Sequence, residues 1–270
     1  MKRRKGIAFL VLLLGIFVMT QAGARLLEAE QVHQEGASAY NDLRNLVRVG
    51  GGGSGSGQPQ SGQPLSEQPA RESGAMPALP GERVSPPRVE IDFEALHVVN
   101  RDAAAWLYCP DTAVDYPVMQ AEDYSYYLDH LPDGTRNANG SLFIDYNCAP
   151  DFSDPLTVIY GHNMRSGKMF GSLDNYKAQS YYEKHPYLYL YTEEGDYTVE
   201  VLYGCVIGAG QWRERAFMYA ENADALLIYA SQNTTFTSGA VYQEGDRLVA
   251  LSTCSYEFDN ARYVLIGVLR

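Results

Sequence analysis

The sequence predicts a mainly β domain with helices, in which seven to eight strands form a closed barrel. Short apolar runs rich in β-branched and aromatic residues recur from residue 89 to the end of the chain. Clusters of Gly, Asn and Asp separate these runs, as turns between strands would. Tyrosine is also abundant, with 21 copies, which suits a β-rich domain. Six to eight such strands with one or two inserted helices indicate a closed or nearly closed β-barrel.

The first half of the domain is predicted to contain one helix and four strands. The helix spans Asp92–Trp106, where apolar side chains recur on one side. Glu122–Leu128 is a tyrosine-rich short helix or loop. The predicted strands are Trp106–Pro110, Val114–Met119, Ser141–Tyr146 and Pro155–Tyr160.

The second half adds two helices and two strand pairs. Helices are predicted at Lys168–Tyr182 and at Asn222–Gln232, the latter inserted before the last two strands. A hairpin is predicted around Glu194-Gly195-Asp196, which is a typical turn sequence. The strands of this half are Tyr187–Thr192, Tyr197–Ile207, Leu248–Thr253 and Arg262–Val268.

The N-terminal part of the chain differs in composition from the domain. A basic cluster, Met1–Lys5, precedes an apolar run that begins at Gly6 and extends to Leu27, so residues 1–27 are predicted to be a signal anchor with a cytoplasmic basic end. Cleavage near Ala22–Ala24 is the alternative, and either way the rest of the chain lies outside the cytoplasm. Residues 28–88 are predicted as a helical stalk followed by a flexible linker rich in Gly, Ser, Pro and Gln, and residues 89–270 as the catalytic domain.

Composition and motifs exclude several functions. The chain has 21 basic and 33 acidic residues and a net charge of −12, which argues against nucleic-acid binding. No spacing of histidines and cysteines resembles a metal site, and the HExxH and GxSxG motifs are absent. The glycine run of residues 50–57 is not a phosphate-binding loop, because no strand precedes it and no GK[ST] follows. No cofactor or metal is therefore expected.

Three residues have the chemistry of acyl transfer. Cys254 directly follows a buried strand, and His162 follows another strand through a glycine. A histidine can activate a cysteine thiol as a base and later protonate a leaving amine. Arg262 begins the final strand, so an antiparallel return brings its guanidinium back beside Cys254, where it can stabilise an oxyanion. We expect the three groups to converge at one mouth of the barrel.

Plainer explanations exist for these residues. A cysteine at the end of a strand can be an ordinary buried residue, and most histidines are structural. With four cysteines in an extracytoplasmic chain, disulfides among Cys109, Cys148 and Cys205 also remain open.

Several motifs resemble those of sortases, the cysteine transpeptidases of Gram-positive bacteria. Leu251–Cys254 with Arg262 resembles the TLxTC…R signature, and Tyr160–Met164 resembles the segment with the catalytic histidine. Ala250 stands where that signature usually has threonine, and we expect this position to face the barrel wall rather than the chemistry. Class B sortases in particular are similar at Trp106, Val114–Val118, Tyr126–Leu128, Gly140–Asp145 and the helix at Asn222–Gln232.

The resemblance implies a membrane-anchored enzyme that cuts a C-terminal sorting motif of secreted proteins after its threonine. Cys254 would form the thioester, His162 would be the acid and base, and Arg262 would bind substrate or stabilise the oxyanion. An amine of a lipid-linked peptidoglycan precursor would then resolve the thioester. Ser252 and Leu128 match residues that contact the motif in class B enzymes, and the adjacent Thr253 is a third substrate-binding candidate.

Two other functions would use the same residues. A secreted cysteine peptidase would hydrolyse the thioester instead of transferring it, and a pilus-assembly sortase would use pilin subunits as substrates. Pilin-polymerising enzymes usually carry a lid and a C-terminal span, whereas this sequence ends at Arg270 directly after its last strand. The L,D-transpeptidases place Ser-His-Gly before their cysteine, and that tripeptide is absent here.

Overall fold

Eight strands close into one mixed barrel, which confirms the predicted fold class. The structure is a computed structural model that describes residues 2–49, 87, 89–217 and 223–270. The barrel strands are β3 (Ala103–Tyr108), β4 (Asp115–Met119), β5 (Leu142–Ile144), β6 (Leu156–Tyr160), β7 (Tyr187–Tyr191), β8 (Asp196–Gly208), β9 (Arg247–Cys254) and β10 (Ala261–Leu269). Their order around the barrel is β10-β8-β7-β3-β4-β5-β6-β9. The pairs β4–β5 and β6–β9 are parallel, and the other neighbours are antiparallel.

Helices and a short ribbon surround the barrel. The helices are α1 (Lys2–Val47), α2 (Phe93–Val99), α3 (Gln179–Tyr182), α4 (Ala209–Phe217) and α5 (Ala223–Asn233), and 3-10 turns span Tyr126–Leu128 and Gly171–Lys177. The ribbon pairs β1 (Arg48–Val49) with β2 (Glu90–Ile91).

Side chains alternate between the barrel interior and two outer layers. Odd-numbered residues of β9, such as Val249 and Leu251, pack inside with Leu265 and Ile159. Even-numbered residues, such as Leu248 and Ala250, pack outside with Trp212 of α4 and Leu226 of α5. A second outer layer, made with α1 and α2, covers Trp106, Met119 and Phe143 on the opposite side.

The structure corrects the predicted helix at Asp92–Trp106. Asp92 caps the helix by accepting a hydrogen bond from the Ala95 backbone, but the helix ends at Val99, because Asn100 is extended (φ −159°, ψ 128°). Ala103–Tyr108 then joins the barrel against β4. The predicted helix Asn222–Gln232 corresponds to α5, whereas α4 was not predicted.

The long helix α1 reaches the barrel directly. Its final turns bury Tyr40, Leu43 and Val47, and Arg44 forms an ion pair with Asp115. Because Arg48 lies opposite Ile91 and Val49 opposite Glu90, the segment between the two strands starts and ends at neighbouring points. The predicted linker itself, residues 50–88, lies outside the described residues except for Pro87.

Within the part of the chain that the structure describes, hydropathy picks out no helix that is long and apolar enough to cross a membrane.

Candidate active site

The three predicted catalytic residues lie at one end of three adjacent strands. Arg262 of β10 is the register partner of Cys254 in the antiparallel β9–β10 pair, which places their Cα atoms about 4.5–5.5 Å apart. On the other side of β9, the parallel strand β6 aligns Tyr160 with Ser252. The Gly161 backbone extends this pairing by donating to the Ser252 carbonyl at 3.2 Å, so His162 follows alongside Cys254.

The side chains of Cys254 and Arg262 share the outer face of the barrel wall. Ala250 and Val264 belong to the outer layer, and strict alternation puts Cys254 and Arg262 on the same face. The Cys254 sulfur and the Arg262 guanidinium therefore leave the wall on its outer face at the strand ends, and the convergence of all three groups at one mouth of the barrel stays a prediction. Ala250 is also on this outer face, but it is fully buried in the layer that includes α4 and α5.

Cys254 differs from the other three thiols in its exposure. All four cysteines are free, which resolves the disulfide alternatives, and Cys254 alone among them is exposed. Burial raises the pKa of Cys109 and Cys148 to about 11 and that of Cys205 to about 12. These three thiols remain protonated and poorly nucleophilic at neutral pH.

The position of His162 is fixed by its backbone and by its ring. The preceding Gly161 leaves no room for a side chain, because a Cβ there would come within 2.4 Å of the Leu142 side chain and 2.7 Å of Phe170. The ring nitrogen Nε2 lies 2.6 Å from the Leu128 carbonyl oxygen. A carbonyl only accepts hydrogen bonds, so Nε2 carries a proton, and in the neutral ring Nδ1 is the free base.

Asn163 connects the histidine strand end to the cysteine strand end. Its side-chain amide donates to the Cys254 carbonyl at 2.7 Å and to the Asp174 carboxylate at 2.9 Å. Asp174 in turn accepts from Lys177 at 2.9 Å, and Lys177 also donates to Ser255 at 3.0 Å. Sequence reasoning missed this network, because the participating residues are polar loop positions that become neighbours only when the barrel closes.

A second ion pair holds the loop after Cys254. Lys177 pairs with Glu257 at 2.5 Å, and Ser255 donates to Glu257. Burial raises the pKa of Glu257, but the hydrogen bonds from Lys177 and Ser255 outweigh it and lower this pKa below its ordinary value. The loop that follows Cys254 is therefore held in place at Ser255 and at Glu257, both of which are bonded to Lys177.

Arg262 keeps an unneutralised charge at this site. Its Nη1 donates to the Ala261 carbonyl at 2.9 Å, and no carboxylate within the described ranges forms an ion pair with it. A half-buried guanidinium without a counter-ion can stabilise a developing oxyanion or bind a substrate carbonyl.

The three substrate-binding candidates occupy different positions. Leu128 is 43% exposed, and its carbonyl holds the His162 ring. Ser252 shares the outer face with Cys254, yet its hydroxyl is buried and has no hydrogen-bond partner in the structure. Thr253 points inward and donates to the Gly161 carbonyl at 2.7 Å, so its hydroxyl ties the two strand ends together. A substrate contact by Thr253 stays a prediction.

The described residues contain no group of three His, Cys, Asp or Glu side chains that could hold a metal ion. The site combines an exposed thiol, an imidazole with one free nitrogen and an unpaired guanidinium. These are the groups that cysteine-dependent acyl transfer requires.

Comparisons with known proteins identify the family. The sortase domain family model matches residues 107–270, and the chain belongs to the sortase family of cysteine transpeptidases. Its relatives are class B enzymes. Sortase B of Listeria monocytogenes is 32% identical over 185 residues, which cover 67% of this chain and 75% of that protein.

Solved structures agree with this assignment. The Staphylococcus aureus sortase B–substrate complex superposes with a TM-score of 0.61 at 26% identity, covering 66% of this chain and 84% of the other. A sortase B structure complexed with triglycine also gives a TM-score of 0.61 at 26% identity, with 66% and 85% coverage.

Proposed function

We propose that this enzyme cleaves a C-terminal sorting motif of secreted proteins after its threonine and transfers the product to an amine of a lipid-linked peptidoglycan precursor. The observation that carries this proposal is the register of three adjacent strand ends. Arg262 lies opposite Cys254 on one side, and His162 follows the strand bonded to the other side. Similarity to a sortase B solved with its substrate, and to one solved with triglycine, supports the two substrates.

The first half of the proposed reaction forms the thioester. His162 Nδ1 takes the thiol proton of Cys254, the resulting thiolate attacks the threonine carbonyl carbon, and the Arg262 guanidinium stabilises the oxyanion that develops. The protonated His162 ring donates a proton from Nδ1 to the leaving amine as the C–N bond breaks, because its Nε2–H is engaged with the Leu128 carbonyl.

The second half releases the product. The acceptor amine attacks the thioester carbonyl, and the neutral His162 takes the proton that this amine loses. The C–S bond then breaks, and a new amide bond joins the secreted protein to the acceptor. Atoms and protons balance without a cofactor, since each proton lost in one half is returned in the other.

Substrate contacts are proposed at Ser252 and Leu128, with Thr253 as the third candidate. The Ser252 hydroxyl supports this assignment, because a buried hydroxyl without a partner costs about 1–3 kcal/mol unless something else pairs with it. A backbone group of a bound motif on the outer face could supply that partner. Leu128 offers an exposed apolar side chain on the residue whose carbonyl contacts the His162 ring.

The location is a further part of the proposal. The basic cluster and apolar run of residues 1–27 favour a single-pass anchor with the N-terminus in the cytoplasm and the catalytic domain facing the cell wall. Carbonate extraction of membranes, combined with protease treatment of intact cells, tests it. Release of the full-length chain by carbonate would contradict the anchor.

A peptide-library assay tests the reaction. We expect cleavage of one motif after threonine, and faster turnover with formation of an adduct when a short glycine peptide or a diaminopimelate-type amine is added. Hydrolysis that no amine accelerates would favour the cysteine peptidase, and a selective lysine acceptor from a pilin would favour pilus assembly.

His162→Ala and Arg262→Ala should each lower kcat/KM by orders of magnitude with the thermal midpoint retained. A collapsed melt in either variant would make that residue structural instead.

A further inference from the structure

The end of helix α1 docks on a turn that lies between it and the catalytic histidine. The turn spans residues 137–141, and all of its residues except the exposed Ala138 are buried, with Asn137 7%, Asn139 2% and Ser141 1% exposed. We call residues 32–47 the docked end of α1. Its contacts with the turn run over more than two helical turns, from Val32 to Tyr40.

Four hydrogen bonds hold the docked end against the turn. Asn137 donates to the Val32 carbonyl at 2.9 Å, and the His33 ring lies 2.5 Å from the Asn139 side-chain oxygen. The Asn139 amide also donates to the His33 carbonyl at 3.2 Å. The Tyr40 hydroxyl donates to the Gly140 carbonyl at 2.6 Å. The two asparagine side chains thus add a second hydrogen bond to carbonyl groups of the intact helix, at Val32 and at His33.

Close approach of the helix depends on Gly36. A Cβ at this position would lie 2.2 Å from the Asn139 amide nitrogen and 2.7 Å from the Asn137 side-chain oxygen. Both asparagines are buried, and their side chains are fixed by the bonds just described, so they have little room to move. The sequence therefore accepts a glycine in the middle of a helix, where it costs about 1 kcal/mol relative to alanine.

The opposite side of the same turn contacts the backbone that holds His162. Gly140 has a φ of +57°, and a Cβ there would lie 2.6 Å from the Leu128 carbonyl oxygen and 2.7 Å from the Tyr127 oxygen. Ser141 donates through its backbone to the Tyr127 carbonyl at 2.8 Å, and Asn137 donates to the Asp129 carbonyl at 2.9 Å. The Leu128 carbonyl lies between these two fixed points and accepts the hydrogen bond from His162 Nε2 at 2.6 Å.

We propose that the docked end of α1 positions the His162 ring, through the 137–141 turn and the Leu128 carbonyl, and that Gly36 and Tyr40 are positioning residues for catalysis. This inference rests on the proposed role of His162 as acid and base. The N-terminal helix would then contribute to catalysis in addition to serving as a stalk. Undocking leaves the thiol and the guanidinium in place but removes the support that fixes the tautomer and the direction of the ring.

A pair of glycine substitutions tests the proposal on the full chain. Gly36→Ala blocks docking, whereas Gly23→Ala makes the same change in the same helix at a position with nothing within 4 Å. Both changes raise intrinsic helix propensity, so their difference isolates the docking contact. Because a displacement of about 1 Å in a catalytic group can cost about 100-fold in rate, we expect Gly36→Ala to slow acylation at saturating peptide by roughly 10- to 100-fold. Gly23→Ala should stay within about twofold of the parent enzyme.

Two further measurements separate positioning from loss of fold. Tyr40→Phe removes one hydroxyl and keeps the buried ring, so it should slow acylation by several-fold while the domain still melts in one cooperative transition, with a midpoint only a few degrees lower. Nitrogen-15 NMR of the His162 ring should show the neutral tautomer protonated at Nε2 in the parent and in Gly23→Ala, and a mixture of tautomers in Gly36→Ala.

The outcomes distinguish this inference from the proposed function. The role of α1 is overturned if Gly36→Ala acylates as fast as Gly23→Ala and gives the same His162 ring spectrum. In that case the parent enzyme still cleaves the sorting peptide, and the proposed function stands. A parent enzyme that cleaves no sorting peptide would instead remove the proposed function on which the role of α1 rests.

Discussion

Asn163→Ala separates the chemistry of the site from the stability of the fold. In the parent structure, the Asn163 amide uses both of its N–H donors, one on the Cys254 carbonyl at 2.7 Å and one on Asp174 at 2.9 Å. Alanine removes both bonds without adding bulk. The immediate structural consequence is that the residue after His162 is no longer bonded to Cys254 itself, while Gly161 stays bonded to Ser252 and Thr253 further back on β9.

The two bonds set the size of the expected effects. A hydrogen bond contributes about 1 kcal/mol net, so the two half-exposed hydrogen bonds of Asn163 together should stabilise the domain by about 1–2 kcal/mol. For a domain of this size, each kcal/mol shifts the melting midpoint by about 2–4 °C, which gives a decrease of about 2–8 °C. The rate should fall further, by about 10- to 100-fold in the acylation step, because imidazole and sulfur lose their common support.

The assay is stopped-flow acylation by a fluorescent sorting peptide, run beside thermal melts. Asn233→Ala is the matched control, since its amide donates to the Tyr229 carbonyl at 2.8 Å on the exposed helix α5. The control variant should keep nearly the parent acylation rate and nearly the parent melting midpoint. If Asn163→Ala melts several degrees lower but acylates at the parent rate, the link is only structural and the reasoning is refuted.

Three more predictions follow from individual groups. Iodoacetamide at pH 8 should modify the native chain once, at Cys254. A thiol with a pKa of about 11, such as Cys109, is only about one part in a thousand thiolate at that pH. Two adducts on the native protein would contradict the burial of the other thiols. Ser252→Ala should leave the domain as stable as the parent or up to about 1–3 kcal/mol more stable, because it removes a buried hydroxyl without a partner. The KM for the peptide should rise, and an unchanged KM would show that Ser252 does not contact the substrate. Glu257 has a lowered pKa, so its stabilising contribution is present above its unfolded pKa and is lost as the pH falls through the folded value. The difference in melting midpoint between parent and Glu257→Gln should therefore shrink as the pH falls below the ordinary glutamate value of 4.5 and through the lowered folded value, and a gap that stays constant would argue against the ion pair with Lys177.

Much of the barrel could be predicted from local pattern. Runs such as Leu156–Tyr160 and Leu248–Leu251 are apolar over the length of one strand and end at polar residues, so both the strands and their ends were predictable. The antiparallel return of the last strand also placed Arg262 beside Cys254 from the sequence alone. The structure adds which residues of each strand face outward, and this alternation puts Cys254 and Arg262 on the outer face together with Ala250 and Val264.

Contacts between distant segments were not predictable in the same way. Residues 28–49 have helix formers and a mild apolar periodicity, which indicated a helix but not its partner. Docking depends on Gly36 facing Asn139, more than 100 positions along the chain, and no local signal links the two. The helix predicted over Asp92–Trp106 was too long for a related reason. Ala103–Ala105 are good helix formers, but strand pairing with β4 overrides that preference.

The most direct test of Cys254 as the nucleophile is intact-mass spectrometry of the enzyme quenched during turnover with a sorting peptide. We predict a covalent adduct equal in mass to the N-terminal fragment of the peptide. This adduct should map to Cys254, be released by hydroxylamine, disappear on addition of the acceptor amine, and be absent from Cys254→Ala but present in Cys109→Ala. Peptide cleavage by Cys254→Ala, or an adduct on a different residue, would contradict the thioester mechanism.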